Sequence, residues 1–232
     1  MRVPVLKLLI DGDIVAYTSA FHAKANNNTQ EEAKHKIDST IRWSIAKTEA
    51  SSYQVYLTGK DNFRYEVAKT YKAQRTAPKP SLLPWCREYL RWEWGAIVSQ
   101  GEEADDLIAI EVARMNYEGC IVASVDKDFL QLGVPMYNWR KDEMISPTKE
   151  EGLQFFYKQC IMGDAADNVK GIPGVGPKGA EIALDGITDE KDLYNACLYM
   201  YKGKGMSEQD LIDNARLLWL RRYKNQMWEP PE

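Results

Sequence analysis

GEEADDLIAIEVARMNYEGCIVASVDKDFLQL, residues 101–132, sets the pattern on which the whole chain is built. Ala104, Leu107, Ile108, Val112 and Met115 recur at helical spacing and form one apolar face. Glu102, Glu103, Asp105 and Asp106 crowd the first turn of that helix, where carboxylates suit the positive end of the helix dipole. Gly119 ends the helix, and Cys120 to Val125 is a short apolar run of the kind that makes a strand covered on both faces. Asp126 and Asp128 follow where that strand stops. Two neighbouring elements therefore each deliver a carboxylate cluster. Crowding like charges is unfavourable unless a cation is shared, so this stretch predicts a divalent-metal site.

Composition bounds what surrounds it. At 232 residues and 44% hydrophobic, the chain can bury a full core, and one α/β domain with a smaller appendage is the natural division. No apolar run is long enough to span a bilayer, and the N-terminus lacks a signal-peptide pattern, which predicts a soluble, intracellular protein. Cys86, Cys120, Cys160 and Cys197 are widely spaced, and only His22 and His35 could join them. Zinc is disfavoured by that spacing, and the acids are read with Mg²⁺ or Mn²⁺ in mind.

Toward the N-terminus, Val5 to Ile10 predicts a buried strand that Asp11-Gly12-Asp13 terminates. Asp11 then lies at a strand's carboxyl end, where α/β sheets place ligands, although Asp-Gly is equally ordinary turn chemistry. Thr29 with Glu32 resembles a capping box, and residues 30–48 read as a helix. Gln54 to Leu57 is a second strand. Residues 63–92 interleave Arg64, Lys69, Lys72, Arg75 and Lys79 with Tyr65, Tyr71, Trp85, Tyr89 and Trp92. Cations beside aromatics suit a phosphate backbone and unstacked bases, while a solvated basic face with packing aromatics is the competing reading. Lys72 and Arg75 lie three apart, so a helix would put them on one face. Pro78, Pro80 and Pro84 predict a loop or arch over 76–84, a helix follows from Leu82 to Glu93, and Ala96 to Ser99 is a strand.

Beyond the acidic core, Met136 to Asn138 and Met144-Ile145 are short strand candidates, and Leu153 to Met162 is helical. In GDAADNVKGIPGVGPKGAEIAL, residues 163–184, Asp164 and Asp167 lie three apart, so one helical face could present both. Gly171, Gly174, Gly176 and Gly179 with two prolines predict a tight hairpin whose backbone can approach a ligand and whose following helix offers free N–H groups to an anion. Lys178 adds a charge. The P-loop order is absent, and a purely structural αα-hairpin is the competing reading. Helices are expected over Leu193 to Met200 and Glu208 to Tyr223, with Arg216, Arg221, Arg222 and Lys224 on a solvated helix end and a frayed Glu229-Pro-Pro-Glu.

Four blocks in order resemble the flap endonuclease / 5′-3′ exonuclease family, and are most similar to small bacterial and phage 5′ nucleases and the domain attached to bacterial DNA polymerase I. They are LLIDGD at 8–13, FRYEVAKTYKAQR at 63–75, EEADDLIA with SVDKDFLQL, and GDAADNVKGIPGVGPKGA. The resemblance spans about residues 5–185. It implies an α/β fold, with a mostly parallel central sheet flanked by helices on both faces (a PIN-like 5′ nuclease core) over residues 1–150. An arch segment would lie at about 63–92, and a helical region over 151–232 would carry a helix-hairpin-helix motif at about 160–185. It implies that Asp11, Glu103, Asp105 and Asp126 hold the tighter, catalytic Mg²⁺, with Mn²⁺ able to substitute, and that Asp106, Asp128, Asp164 and Asp167 surround a second ion.

Lys72 and Arg75 match the basic pair that touches the scissile phosphate. Arg64, Tyr71, Gly174, Gly176, Lys178 and Gly179 join them as DNA-binding candidates, and the hairpin 171–179 corresponds to an element that in relatives can hold K⁺. The implied activity is Mg²⁺-dependent hydrolysis of phosphodiesters at 5′ ends or 5′ flaps of duplex DNA by a monomer in the cytoplasm of a bacterial or phage-infected cell. RNA–DNA hybrids and replication proteins are further candidate partners. The family's Asp after the second strand has no match in Leu57-Thr-Gly-Lys-Asp61, and the arch is short and Pro-rich. The net charge of −4 does not oppose DNA binding: without the eight named acids the remainder is +4. Two rivals remain: a haloacid-dehalogenase-type phosphatase using Asp11 and Asp13, and a non-catalytic DNA-structure-binding protein.

Overall fold

The structure, a computed structural model, describes residues 6–232, so the Val5 expected to open the first strand lies outside the described residues. The chain runs β1 (Lys7–Asp11), α1 (Gly12–Ala25), α2 (Gln30–Thr48), β2 (Ser52–Leu57), α3 (Arg64–Val67), α4 (Leu83–Glu93), β3 (Ile97–Val98), α5 (Ala104–Arg114) and β4 (Cys120–Ala123). A 3₁₀ helix (Lys127–Leu132), β5 (Met136–Asn138), β6 (Glu143–Ile145) and α6 (Lys149–Met162) follow. The remainder is β7 (Gly163–Asp164), β8 (Val169–Lys170), α7 (Pro177–Leu184), α8 (Glu190–Gly203) and α9 (Glu208–Leu218).

β1 sits mid-sheet. Six strands lie in the order β3-β2-β1-β4-β5-β6, all parallel except the β5–β6 pair. Strand alternation splits the apolar residues between two faces. Leu8, Ile10, Val55, Leu57, Ile121 and Ala123 pack under α1, α2 and α4. Leu9, Tyr56, Cys120 and Val122 pack under α5 and the 3₁₀ helix. Each fully buried Leu or Ile contributes about 1.5–3 kcal/mol relative to exposure, so this sandwich fixes the strand register. The chain winds outward from β1 through β2 on one side and β4 on the other. Their carboxyl ends therefore flank a crevice at the point where strand order reverses, the usual ligand position in such sheets.

A third core belongs to the helical region. Phe156, Cys160 and Ile161 of α6 meet Leu193, Cys197 and Tyr201 of α8, Leu211 and Ala215 of α9, and Trp228. α6 begins four residues before the predicted Leu153, because Thr148 and Glu151 make a reciprocal capping box over a polar first turn that apolar spacing does not reveal. α9 stops at Leu218 rather than Tyr223, since the backbone of 217–221 is claimed by other partners. Arg64 donates to Leu217 O (2.8 Å) and Trp219 O (2.9 Å), Gln131 exchanges bonds with Leu218 O (3.1 Å) and Leu220 N (3.0 Å), and Arg221 N donates to Asp106 (3.1 Å). Of the basic tail residues, Lys224 is exposed as expected, while the three arginines are packed. Arg221 pairs with Glu102 (3.3 Å) and lies 3.4 Å over the Phe63 ring, and Arg222 lies 4.1 Å over Trp219. Arg216 pairs with Glu229 at 2.6 Å, so the tail expected to fray is tied down there beside the buried Trp228.

Candidate active site

The carboxyl ends of β1 and β4 bring their acids together through one hydroxyl. Asp11 caps α1, accepting from Ile14 N (3.2 Å), and its other oxygen accepts from Ser124 Oγ (2.8 Å). Ser124 Oγ in turn accepts from Asp126 N (3.0 Å). Asp126 caps the 3₁₀ helix by accepting from Asp128 N (3.0 Å), and Asp128 accepts from Gln159 Nε2 (2.7 Å). Burial, then the nearby Asp13, pushes the Asp11 carboxyl up to about 7 despite those hydrogen bonds. Burial and the Asp126 charge push Asp128 to about 7, and burial likewise raises Asp105 and Asp126. Groups this costly to ionise together are what a bound cation would relieve.

A second group closes the crevice. Glu103 caps α5, and its oxygens accept from Tyr71 OH (2.8 Å) and Lys72 Nζ (2.5 Å). Tyr71 OH also lies 2.8 Å from Asp167, which Arg75 pairs with and Lys72 approaches at 3.6 Å. Burial works to lower the Lys72 ammonium, but Glu103, Asp105 and Asp167 outweigh it and hold the pKa above its ordinary value. Lys72 and Arg75 do converge, though not on the helical face their spacing predicts. Residues 69–74 form turns, Lys72 takes a left-handed φ of 55°, and its N–H donates to Asp167 O (2.9 Å).

Nor are Asp164 and Asp167 on a helix. They sit in the β7–β8 hairpin, where Asp164 accepts from Ala166 N (2.6 Å) and Asp167 N (3.3 Å). Gly163 and Gly171 make that hairpin possible: a Cβ on Gly171 would meet Met162 C at 2.1 Å. Beyond it, Pro173 to Gly179 is mostly exposed, Gly174 has φ 79°, and α7 opens at Gly176 with no side-chain cap. The amides of Lys178 and Gly179 are thus available to an outside acceptor.

Three expected site residues have other partners. Asp106 is no free ligand: both its oxygens receive Arg64 (2.6 and 2.9 Å), and Glu103 N and Arg221 N complete its shell. Burial opposes its ionisation, but the Arg64 guanidinium holds it below the usual carboxylate range. Arg64, expected on DNA, is 1% exposed and spends its donors on Asp106 and the 217–219 carbonyls. Tyr71, also expected on DNA, is buried with its hydroxyl among the acids. Asp61 is exposed, and the corresponding strand end carries Thr58, whose hydroxyl accepts from Ala104 N (2.9 Å). Asp13 is tied to Arg87 and Thr58 N, which removes the acid a phosphatase would need beside Asp11.

The donor set of Asp11, Glu103, Asp105, Asp126, Asp128, Asp164 and Asp167 is all carboxylate oxygen, which fits a hard divalent cation. Among the described residues, no three acids, histidines or cysteines lie close enough to close around one ion. Lys72 pairs with Glu103, and Arg75 with Asp167. Sequence reasoning did not single out Ser124, Gln159 or Arg221 as site supports. Ser124 was findable, as a hydroxyl between a buried strand and Asp126. Gln159 gives no local signal.

A sequence model described as 5′-3′ exonuclease, N-terminal resolvase-like domain, matches residues 7–155. A 5′-3′ exonuclease of Buchnera aphidicola subsp. Schizaphis graminum is 27% identical over 81% of this chain and 72% of its own length. Flap endonuclease Xni of Aeromonas hydrophila is 33% identical over 68% of this chain and 65% of its own. DNA polymerase I of Rhizobium leguminosarum is 36% identical over 55% of this chain, a match that spans 14% of the polymerase. The bacteriophage T5 flap endonuclease, solved with DNA and metal ions, shares the fold at a TM-score of 0.72, covering 91% of this chain and 88% of its own at 20% identity.

Proposed function

This chain belongs to the 5′-3′ exonuclease family of nucleases, and we propose that it hydrolyses phosphodiesters at the 5′ ends and 5′ flaps of duplex DNA with two Mg²⁺ ions, Mn²⁺ serving as a substitute. The observation that carries this reading is a run of acids linked through shared partners, Asp11 to Asp126 through Ser124, Glu103 to Asp167 through Tyr71 and Lys72, and Asp126 to Asp164 and Asp167 through their charges, with Arg75 beside them. Asp11, Glu103, Asp105 and Asp126 would hold one ion, and Asp128, Asp164 and Asp167, with Asp126 between, the other. Such ions supply an activated water and stabilise the departing 3′ oxygen.

The chain's own groups do the rest. Lys72 and Arg75 meet the charge that grows on the phosphoryl oxygens. Tyr71 keeps Glu103 and Asp167 in register. The exposed 173–179 hairpin grips the duplex backbone through amides and Lys178 without reading bases, and any K⁺ there would be held by main-chain carbonyls. The four buried free thiols accord with a reducing cytoplasm.

The test is cleavage of 5′-labelled flap, nicked and blunt duplexes, with DNA or RNA in the cut strand, with and without Mg²⁺. We expect 5′-phosphorylated products only with the metal. Asp126→Asn should abolish them and leave salt-sensitive binding in place; normal turnover by that variant overturns the assignment. Binding without cleavage by the unmutated chain would return the non-catalytic reading.

A further inference from the structure

Asp128 is held by a residue outside the carboxylate-bearing motifs. Gln159 of α6 donates Nε2 to Asp128 Oδ1 at 2.7 Å. The residue is 1% exposed, yet its carbonyl Oε1 accepts no hydrogen bond from the protein. A buried amide oxygen left unpaired costs about 1–3 kcal/mol, so this one needs a donor. The opposite amide orientation would set Oε1 against the carboxylate once Asp128 is ionised, as it must be to hold a cation. The charged groups around Asp128 are Asp126, Asp164 and Asp167, acceptors like Oε1 itself. A water can supply that donor among so many acceptors, and a hard cation among carboxylates keeps several of its waters.

Resting on the two-ion reading above, we propose that Gln159 is a positioning residue for the second cation. Its N–H orients Asp128 so that the other carboxylate oxygen is free for the ion, and its carbonyl receives a proton of the ion's hydration water. The fold places it for this. Gly152 lets α6 lie against the 3₁₀ helix, since a Cβ there would stand 2.8 Å from Leu130 O. Gln159 follows two turns later on the same face, opposite Asp128 in the first turn of that 3₁₀ helix. One side chain thereby ties the helical region to the acids of the sheet.

The test is Mn²⁺ titration of the metal-stripped chain without DNA, followed by the electron paramagnetic resonance of free Mn²⁺. The unmutated chain should bind two ions. In Gln159→Leu the weaker site should lose at least about tenfold in affinity while the tighter one shifts by less than about twofold, the size of effect seen when a ligand's supporting partner is removed. Gln159→Glu, which returns an acceptor for the hydration water but not the N–H that holds Asp128, should recover only part of the loss. Melting in EDTA should show Gln159→Leu folded and close to the parent in stability, since the orphaned oxygen is removed together with the hydrogen bond to Asp128. Unchanged titration of Gln159→Leu, or equal weakening of both sites with no recovery in Gln159→Glu, overturns the proposal. Fewer than two ions on the unmutated chain would overturn the two-ion reading and the Gln159 role with it, and is seen before any variant is made.

Discussion

Arg64 and Asp106 form a buried bidentate pair, 1% and 0% exposed, directly behind the crevice. The pair supports the acids rather than joining them, because Asp106 also receives Glu103 N and so fixes the turn that carries Glu103 and Asp105. Removing one partner strands a charge in the core. Arg64→Met should therefore cost about 3–5 kcal/mol, read from urea denaturation. The double variant with Asp106→Leu should lose clearly less than the two single losses together, as contacting residues do in a cycle. Additive losses would show that the two act independently. The four acids at 102–106 look alike in the sequence. They are sorted by the helix: Asp106 falls three residues after the Glu103 cap and turns inward, and only the fold shows that a guanidinium waits there.

At the scale of elements, the β7–β8 hairpin presents Asp164 and Asp167, and its geometry depends on two glycines in backbone contact. Gly171→Ala should destabilise by at least about 1–3 kcal/mol in urea denaturation, because the new methyl meets backbone on the Met162 side and cannot be absorbed by a rotamer. The next turn is solvent-facing and makes the opposite prediction. Lys178→Ala should leave stability alone, weaken binding to duplexes of any sequence to a similar degree, and lower the salt slope of binding by about one. A sequence-dependent loss would mean that Lys178 touches bases.

The strand ends that carry Asp11 and Asp126 were legible beforehand, because a buried parallel strand writes its own pattern and its acids mark where it stops. The positions of Lys72, Asp164 and Asp167 were not. Three-residue spacing suggests a helix, but the left-handed φ at Lys72 and the packing of Gly163 on Gly171 come from tertiary contacts that spacing does not encode. The same holds for the tail, where Arg221 and Arg222 read as solvated charges and turn out to be stacked on aromatic rings, Arg221 buried and Arg222 half-buried.

For the molecule as a whole, the crevice is a store of electrostatic cost. Asp11 and Asp128 have folded-state pKa values near 7, above the ordinary carboxyl value of 3.8. The folded state thus holds protons the unfolded state has released. The stability this contributes is full below about pH 4 and is lost as pH rises through about 7. Groups with depressed values act the other way and lower down: Glu111, held to about 2 by Arg114 and Lys7, matters only in stronger acid. In EDTA, melting temperature should fall between about pH 4 and pH 7, and Mg²⁺ should restore most of the loss at the upper end. A flat profile in EDTA would mean that the acids do not share one desolvated space.

The segment from Leu217 to Arg222 spans both acid-bearing supports, Asp106 on one side and Gln131 on the other. Arg221 and Asp106 stand 115 positions apart, and a ribosome adding about 5–20 residues per second needs roughly 6–23 s to cover that distance. Every carboxylate of the crevice is translated before the clasp that seats its scaffold. A chain stopped short of Leu217 would therefore carry every acid of the crevice without the contacts that seat Asp106 and Gln131.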